Sequence, residues 1–282
     1  MNTFASPSSA PSALSDREFE FLPRDFAKVR TLIYARAGIN LHEGKQAMVY
    51  SRLSRRLRET GHTSFEDYLR DLEAGNQGQE WQEFVNCLTT NLTSFFREEH
   101  HFHALHDWLK ERGNQSTRIW CCAASTGEEP YSLAMVCAET MGLHAPVKIL
   151  ATDIDTNVLA TASRGVYDAN ARGLNHVRLR NYFLKGKGSN DGSIRVKPEL
   201  ARLIEFKPFN LMSTAWQLGE GFDIVFCRNV MIYFDAPTQR KVLERIHGVM
   251  KPKSKLFVGH SENFTESRDL FSLRGKTIYD RV

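Results

Sequence analysis

Two adjacent glutamates, Glu128 and Glu129, follow the small-residue run Ala123-Ala124-Ser125-Thr126-Gly127 and precede Pro130. Small side chains let a ligand approach the backbone closely. Ser125 or Thr126 can cap a helix whose first turn suits Pro130 and the glutamates. One glycine is too few for the three-glycine pyrophosphate fingerprint, and a P-loop would need Gly-Lys-Ser/Thr. Two acids at a helix mouth would repel a phosphate. They suit a ligand that is cationic or carries an amine. An ordinary strand-to-helix turn has the same composition, so the loop does not decide alone.

Other polar groups also follow apolar runs. Asp153-Ile154-Asp155 comes after residues 147–152. Asp153 can accept hydrogen bonds from ribose hydroxyls, and Asp155 can cap the next helix. Asn210 and Leu211 come after residues 202–208 and can offer an amide and an apolar face to an adenine. Arg228 and Asn229 come after residues 222–227 and mark the ligand edge of a sheet; the amino-methyltransferase signature Asn-Pro-Pro-Tyr is absent. The acidic helix mouth suits the aminocarboxypropyl-sulfonium of S-adenosylmethionine. The missing glycine fingerprint argues against a nicotinamide dehydrogenase.

A parallel sheet would bring these loops together. Apolar runs at 118–124, 147–152, 202–208, 222–227 and 255–259 alternate with helical segments at 130–141, 156–163 and 238–250. That pattern predicts a sheet covered on both faces, with ligands beyond the carboxyl ends of its strands. Residues 270–273 and 277–280 flank Arg274-Gly275-Lys276 and predict a closing hairpin. The stretch from about 166 to 201 breaks the alternation, and a structureless loop that long is uncommon in a compact domain. A small inserted β-subdomain is predicted there.

Residues 23–90 read as four short helices. Pro23 opens the first, Phe26, Val29 and Ile33 follow at helical spacing, and Gly38 ends it. Three more span about 43–59, 64–75 and 79–90, and all four must pack together to persist. The expected organisation is a disordered tail over 1–22, a helical domain over 23–90 and a ligand-binding α/β domain over 91–282. The linker from Thr89 to Arg97 is dense in hydrogen-bonding groups and reads as a segment folded over the active site.

The chain has 282 residues, 41% hydrophobic and 25% charged, enough for an ordinary core. A net charge of +4 is too small to imply nucleic acid. Lys45, Arg52, Arg55, Arg56 and Arg58 lie in a stretch without acids, and Arg52, Arg55 and Arg56 share one helix face. Such a face is either simply solvated or aligned with an acidic partner. No run approaches the ~18 apolar residues of a membrane span, and no secretory signal is visible. The five cysteines are odd in number and form no CxxC, which fits a reducing compartment and no zinc site. His100, His101, His103 and His106 read as titrating surface residues rather than metal ligands.

The strings NLTSFFRE, ASTGEEPYS, ATDIDT, CRNVMIYF and GHSENF, in this order, resemble the bacterial chemotaxis receptor methyltransferase family, CheR. The likeness runs from about Phe26 to the C-terminus. It implies a Rossmann-like class I methyltransferase α/β sheet with a small inserted antiparallel β-subdomain, preceded by a small all-α domain. It implies methyl transfer from S-adenosylmethionine to glutamate carboxylates on the cytoplasmic helices of chemoreceptors. The cofactor would be held by Asn91, Thr93, Arg97, Glu128, Asp153, Asn210, Leu211, Asn229 and Val230. Arg97 and Tyr233 would face the methyl-accepting carboxylate. Arg52, Arg55, Arg56 and Arg58 would meet the receptor helix. Gly186, Gly188, Gly192 and Arg195 would dock a peptide from the receptor's C-terminus by strand addition. The expected protein is a cytoplasmic monomer without nucleic acid, membrane insertion or metal. Two alternatives stay open on the residues alone: a methyltransferase acting on RNA or a small molecule, and a non-catalytic receptor-binding adaptor. Transfer from a sulfonium needs no metal, so methylation is expected to survive EDTA; lost activity would point to the histidines.

Overall fold

In the computed structural model, which describes residues 17–75, 78–219 and 221–282, the apolar runs become strands because alternate side chains find a core on each face. A seven-stranded sheet is built from β1 (Thr117–Cys121), β2 (Val147–Asp153), β6 (Ile204–Pro208), β7 (Phe222–Cys227), β8 (Met250–Val258), β9 (Phe271–Gly275) and β10 (Ile278–Arg281). Its order is β6-β2-β1-β7-β8-β10-β9. The first five in that order run parallel, and β10 and β9 close the edge antiparallel. Ile119, Cys121, Ile149, Ala151, Ile224 and Phe226 face one core. Trp120, Cys122, Leu150, Val225 and Cys227 face the other. That is the period of two a strand demands. Strand β8 starts at Met250, earlier than its apolar run, because Met250 pairs with Phe222 and a register shift absorbs the residues between.

Helices α5 (His100–Arg112), α6 (Glu128–Met141), α7 (Thr156–Arg164) and α10 (Ala236–Val249) connect and cover the strands. Between α7 and β6 lies a separate antiparallel sheet of β3 (Val166–Asp168), β4 (Phe183–Lys185) and β5 (Ser193–Val196), ordered β3-β5-β4. Two helices too short for a clear period, α8 (His176–Tyr182) and α9 (Pro198–Ala201), accompany it. The subdomain is tied to the sheet's ligand edge: Tyr167 Oη donates to Thr126 O at 2.8 Å.

The N-terminal helices are α1 (Pro23–Ala37), α2 (Gln46–Thr60), α3 (Phe65–Ala74) and α4 (Gln79–Leu88). Gly38 and Gly61 end α1 and α2 at φ 70° and 76°, a conformation that favours glycine. Ser64 caps α3 by accepting from Asp67 N at 3.1 Å. Val29, Ile33, Leu53, Leu57, Phe65 and Phe84 form their shared core. The expected tail lies outside the described residues over 1–16. Over 17–22 it is not disordered. Phe21 sits 4.5 Å from the Phe65 ring and Arg17 4.8 Å from that of Tyr50, so apolar contact extends the helical domain to residue 17. Among the described residues no helix is long and apolar enough to cross a membrane.

Phe226 is fully buried between Phe257, stacked at 4.4 Å, and Phe102 at 6.2 Å. Phe226→Ala is expected to lower the unfolding free energy by about 3–5 kcal/mol, the usual result of a large cavity, as read by chemical denaturation.

Candidate active site

The linker after α4 runs along the carboxyl ends of β1 and β2 and is pinned on both sides. Asp155 Oδ2 accepts from Thr89 Oγ1 at 2.7 Å and from Asn91 Nδ2 at 2.8 Å. Ser125 Oγ donates to Asn91 O at 3.0 Å, and Arg97 Nη1 to Leu92 O at 3.0 Å. Arg52 Nη1 reaches from α2 to Thr89 O at 2.5 Å. Four non-glycine residues with positive φ gather here: Phe96 (52°), Glu98 (59°), Ser125 (48°) and Asn229 (57°). Such conformations persist where surrounding bonds over-determine them, and they cluster at functional sites. Gly127, at φ 102°, could carry no side chain, because a Cβ would lie 2.9 Å from that of Ala162.

These segments enclose a cavity of about 410 Å3 between the helical domain and the sheet's edge, within the usual range for small-ligand sites. Its walls bring together Asn91, Thr93, Arg97, Asp153, Asn210, Leu211, Asn229, Val230 and Tyr233. Ile154 and Phe209 add apolar surface, and Ile39, Asn40, His42, Lys45 and Met48 close it from the helical domain. Glu128 is not in the wall: Thr126 Oγ1 donates to its Oε2 at 2.6 Å, and Glu129 faces the cavity instead. Successive helical residues point about 100° apart, so one glutamate of the pair must turn away.

Asp153 is buried and accepts from Ser125 N at 2.8 Å and Asp155 N at 3.0 Å. Burial outweighs these bonds and pushes its pKa up to about 6. Its oxygens keep lone pairs for hydroxyl donors. Asn210 is oriented by donating to Arg36 O and accepting from Met212 N, both at 2.8 Å. Arg228, buried below the cavity, donates to Glu129 Oε2 and Arg97 O, both at 2.6 Å, and lies 3.3 Å from Glu98 Oε2. Sequence reasoning marked Arg228 as a ligand-edge residue; its role in holding Glu129 depends on an ion pair across 99 positions. Glu98, His100 and His101 bring three potential ligand atoms within 4.8 Å of one another. The Arg228 guanidinium beside Glu98 opposes a cation there, and burial pushes His101 down to about 4. His103 and His106 lie apart from this group, on Glu99 and Asp107.

The basic face of α2 is largely consumed by partners distant in sequence. Arg52 holds the linker. Arg56, with only 18% of its side chain exposed, pairs with Glu80 and Glu59. Arg58 donates to Glu18 at 3.0 Å. Arg55 is 77% exposed beside Glu59. None of the four lines the cavity. Gly188, at φ 61°, and the exposed Arg195 sit on the β-subdomain, away from the cavity. Arg195 lies on the central strand β5, so the free edges are those of β3 and β4.

A mostly parallel sheet with acidic, amide and apolar groups meeting beyond β1, β2 and β7 defines the class: an S-adenosylmethionine-dependent methyltransferase. Residues 91–279 match the family described as CheR methyltransferase, SAM binding domain, and residues 24–89 its all-alpha domain. The chain belongs to the CheR methyltransferase family. It is 48% identical over 270 residues to the chemotaxis protein methyltransferase of Escherichia coli K12, covering 95% of this chain and 91% of that one. With the Klebsiella aerogenes protein of the same name it shares 50% over 258 residues, covering 90% and 88%. With chemotaxis protein methyltransferase 2 of Pseudomonas aeruginosa it shares 46% over 278 residues, covering 97% and 99%.

Raised to about 6, Asp153 binds its proton more tightly folded than unfolded. Its protonation therefore contributes stability that is complete below about 4 and lost as pH rises through about 6. Hydroxyl donors favour the carboxylate, so S-adenosylhomocysteine is expected to bind more weakly as pH falls below about 6. Calorimetry across pH should show that step in the native chain and not in Asp153→Asn.

Proposed function

We propose that this chain transfers a methyl group from S-adenosylmethionine to glutamate side chains on chemoreceptor cytoplasmic helices, forming methyl esters. It would act in the cytoplasm, as a monomer. The observation that carries this reading is the shared cavity: Arg97 and Tyr233 line the same space as Asp153, Glu129, Asn91, Asn210 and Asn229. The donor set fits the cofactor. Asp153 would take the ribose hydroxyls, Glu129 the amine, and Asn210 and Leu211 the adenine. Asn91, Thr93, Arg97, Asn229 and Val230 would complete the grip. When bound, the cofactor supplies an activated methyl on a positively charged sulfur.

The residues then have little proton chemistry to perform. A glutamate of pKa near ~4.3 is already ionised at neutral pH, so no general base is needed. What the cavity must supply is alignment, which can contribute roughly 7–11 kcal/mol in favourable cases. Arg97 has one nitrogen committed to Leu92 O. Its remaining N–H groups can steady one carboxylate oxygen without a full fork drawing charge from both. Tyr233 is set in place by Asn40 N, which donates to its carbonyl at 2.8 Å. Its hydroxyl can hold the acceptor without taking a proton.

For the substrate helix, Arg55 is the basic residue that α2 leaves most exposed. The strands β3 and β4, paired only to β5 among the described residues, offer edges to a receptor peptide near Gly188.

Incubation with methyl-labelled S-adenosylmethionine and receptor cytoplasmic fragments is expected to give base-labile label released as methanol; base-stable label, or label on RNA, would overturn the ester reading. Arg55→Glu is expected to raise KM for the fragment several-fold at low salt with cofactor affinity unchanged. Arg56→Glu should instead lower stability, because it sets a like charge beside Glu80, which accepts from both Arg56 and the buried Tyr68 hydroxyl.

A further inference from the structure

The turn that presents Asn229, Val230 and Tyr233 to the cavity is held by a residue outside it. Glu262 is 4% exposed and accepts four backbone N–H groups. Its Oε2 takes Asn229 N at 2.9 Å and Gly259 N; its Oε1 takes Val230 N at 3.0 Å and Met231 N at 2.8 Å. The groups that meet its carboxylate are these backbone N–H donors. Oriented peptide dipoles face its charge, as in a backbone anion nest, and partly offset the burial that pushes its pKa up. Gly259 completes the fit, since a Cβ there would run into Asn229 Nδ2 and lie 2.9 Å from Glu262 Oε2. The Asn229 side chain is steadied on the far side by Glu98 Oε1 at 3.5 Å.

This arrangement does something specific. Asn229 sits at φ 57° and Val230 at φ −120°, ψ −35°. Three successive N–H groups therefore converge on one point at the entry to the short 3-10 turn Met231–Tyr233. Without a buried anion at that point, three desolvated donors would be left unpaired, at a penalty for each. The turn would reopen, and the residues it carries would leave their places in the cavity wall. We infer that Glu262 is a positioning residue for methyl transfer: as an internal anion it fixes the 229–231 turn and thereby the reach of Asn229, Val230 and Tyr233. The inference rests on the cofactor binding in this cavity.

Glu262→Gln tests it, because the amide keeps the volume but turns an NH2 toward two of the N–H donors. It is expected to weaken S-adenosylhomocysteine binding roughly 10- to 100-fold. Asn229→Ala in that background should then lose far less affinity than in the native chain, since the two share one path. A contribution to stability alone would move melting but leave the two effects on affinity additive. Gly259→Ala keeps Glu262 and crowds Asn229; it is expected to lose affinity comparably, and it covers the case in which Glu262→Gln does not fold. Native-like affinity in either single variant, or additivity in the double, would overturn the inference. Failure of the native chain to bind S-adenosylhomocysteine would overturn the cofactor assignment instead.

Discussion

Asp155 ties two domains to one frame. It is 2% exposed. One oxygen accepts Asn157 N and Val158 N and so caps α7; the other accepts Thr89 Oγ1 and Asn91 Nδ2 and so holds the linker. The seam continues from α4, where Gln82 donates to Ile154 O at 2.8 Å and Asn86 to Thr156 Oγ1 at 3.1 Å. A polar seam in a buried place is directional: each misaligned group would remain unsatisfied. Apolar packing would let the helical domain slide across the sheet's edge. This seam does not, and half of the cavity wall depends on it.

Below the cavity a second set of buried charges fixes the linker from the other side. The Arg228 side chain is 1% exposed and reaches Glu129, Glu98 and the carbonyl of Arg97. Removing Arg228 would leave Glu98 and Glu129 facing each other without their shared cation, which is strongly destabilising. The network has a consequence for binding. Glu129 Oε2 is occupied by Arg228, whereas Oε1 receives only the Cys121 thiol at 3.2 Å, a weak donor. That oxygen retains its capacity for an amine. The acid at the helix mouth is thus half committed to structure and half open to a ligand.

What was legible in the sequence was local or periodic. The strand runs, the Asp155 cap and the polar groups after β1, β2 and β7 are set by neighbours in the chain and by the general rule for open sheets. What was not legible depends on distant partners. The choice between Glu128 and Glu129 turns on the rotation of α6 and on a hydroxyl that satisfies one of them. The acid-free stretch on α2 looked like a free basic face, yet Glu80 and Glu18 arrive from elsewhere to neutralise it. Phe19 and Phe21 sit within the span expected to be a tail, yet their rings settle on Phe65. Glu262 lay inside the string GHSENF with no chemistry of its own, because its work is done through backbone groups that composition cannot reveal.

The balance of charge in the cavity bears on the proposed transfer. Lys45, Arg97 and Arg228 stand against Glu129 and Asp153 along its wall or floor. Esterification removes the negative charge of the acceptor carboxylate while the positive charge of the donor disappears, so the reacting pair becomes less polar. Exclusion of water favours such a change, because the reactants lose more solvation than the products require. In the proposed transfer Arg97 would have to steady the carboxylate on entry without stabilising its charge so well that reaction becomes uphill. A guanidinium partly committed to Leu92 O would suit both demands, since it could hold one oxygen and leave the other reactive. Lysine, a compact ammonium able to approach either oxygen, would not separate the two.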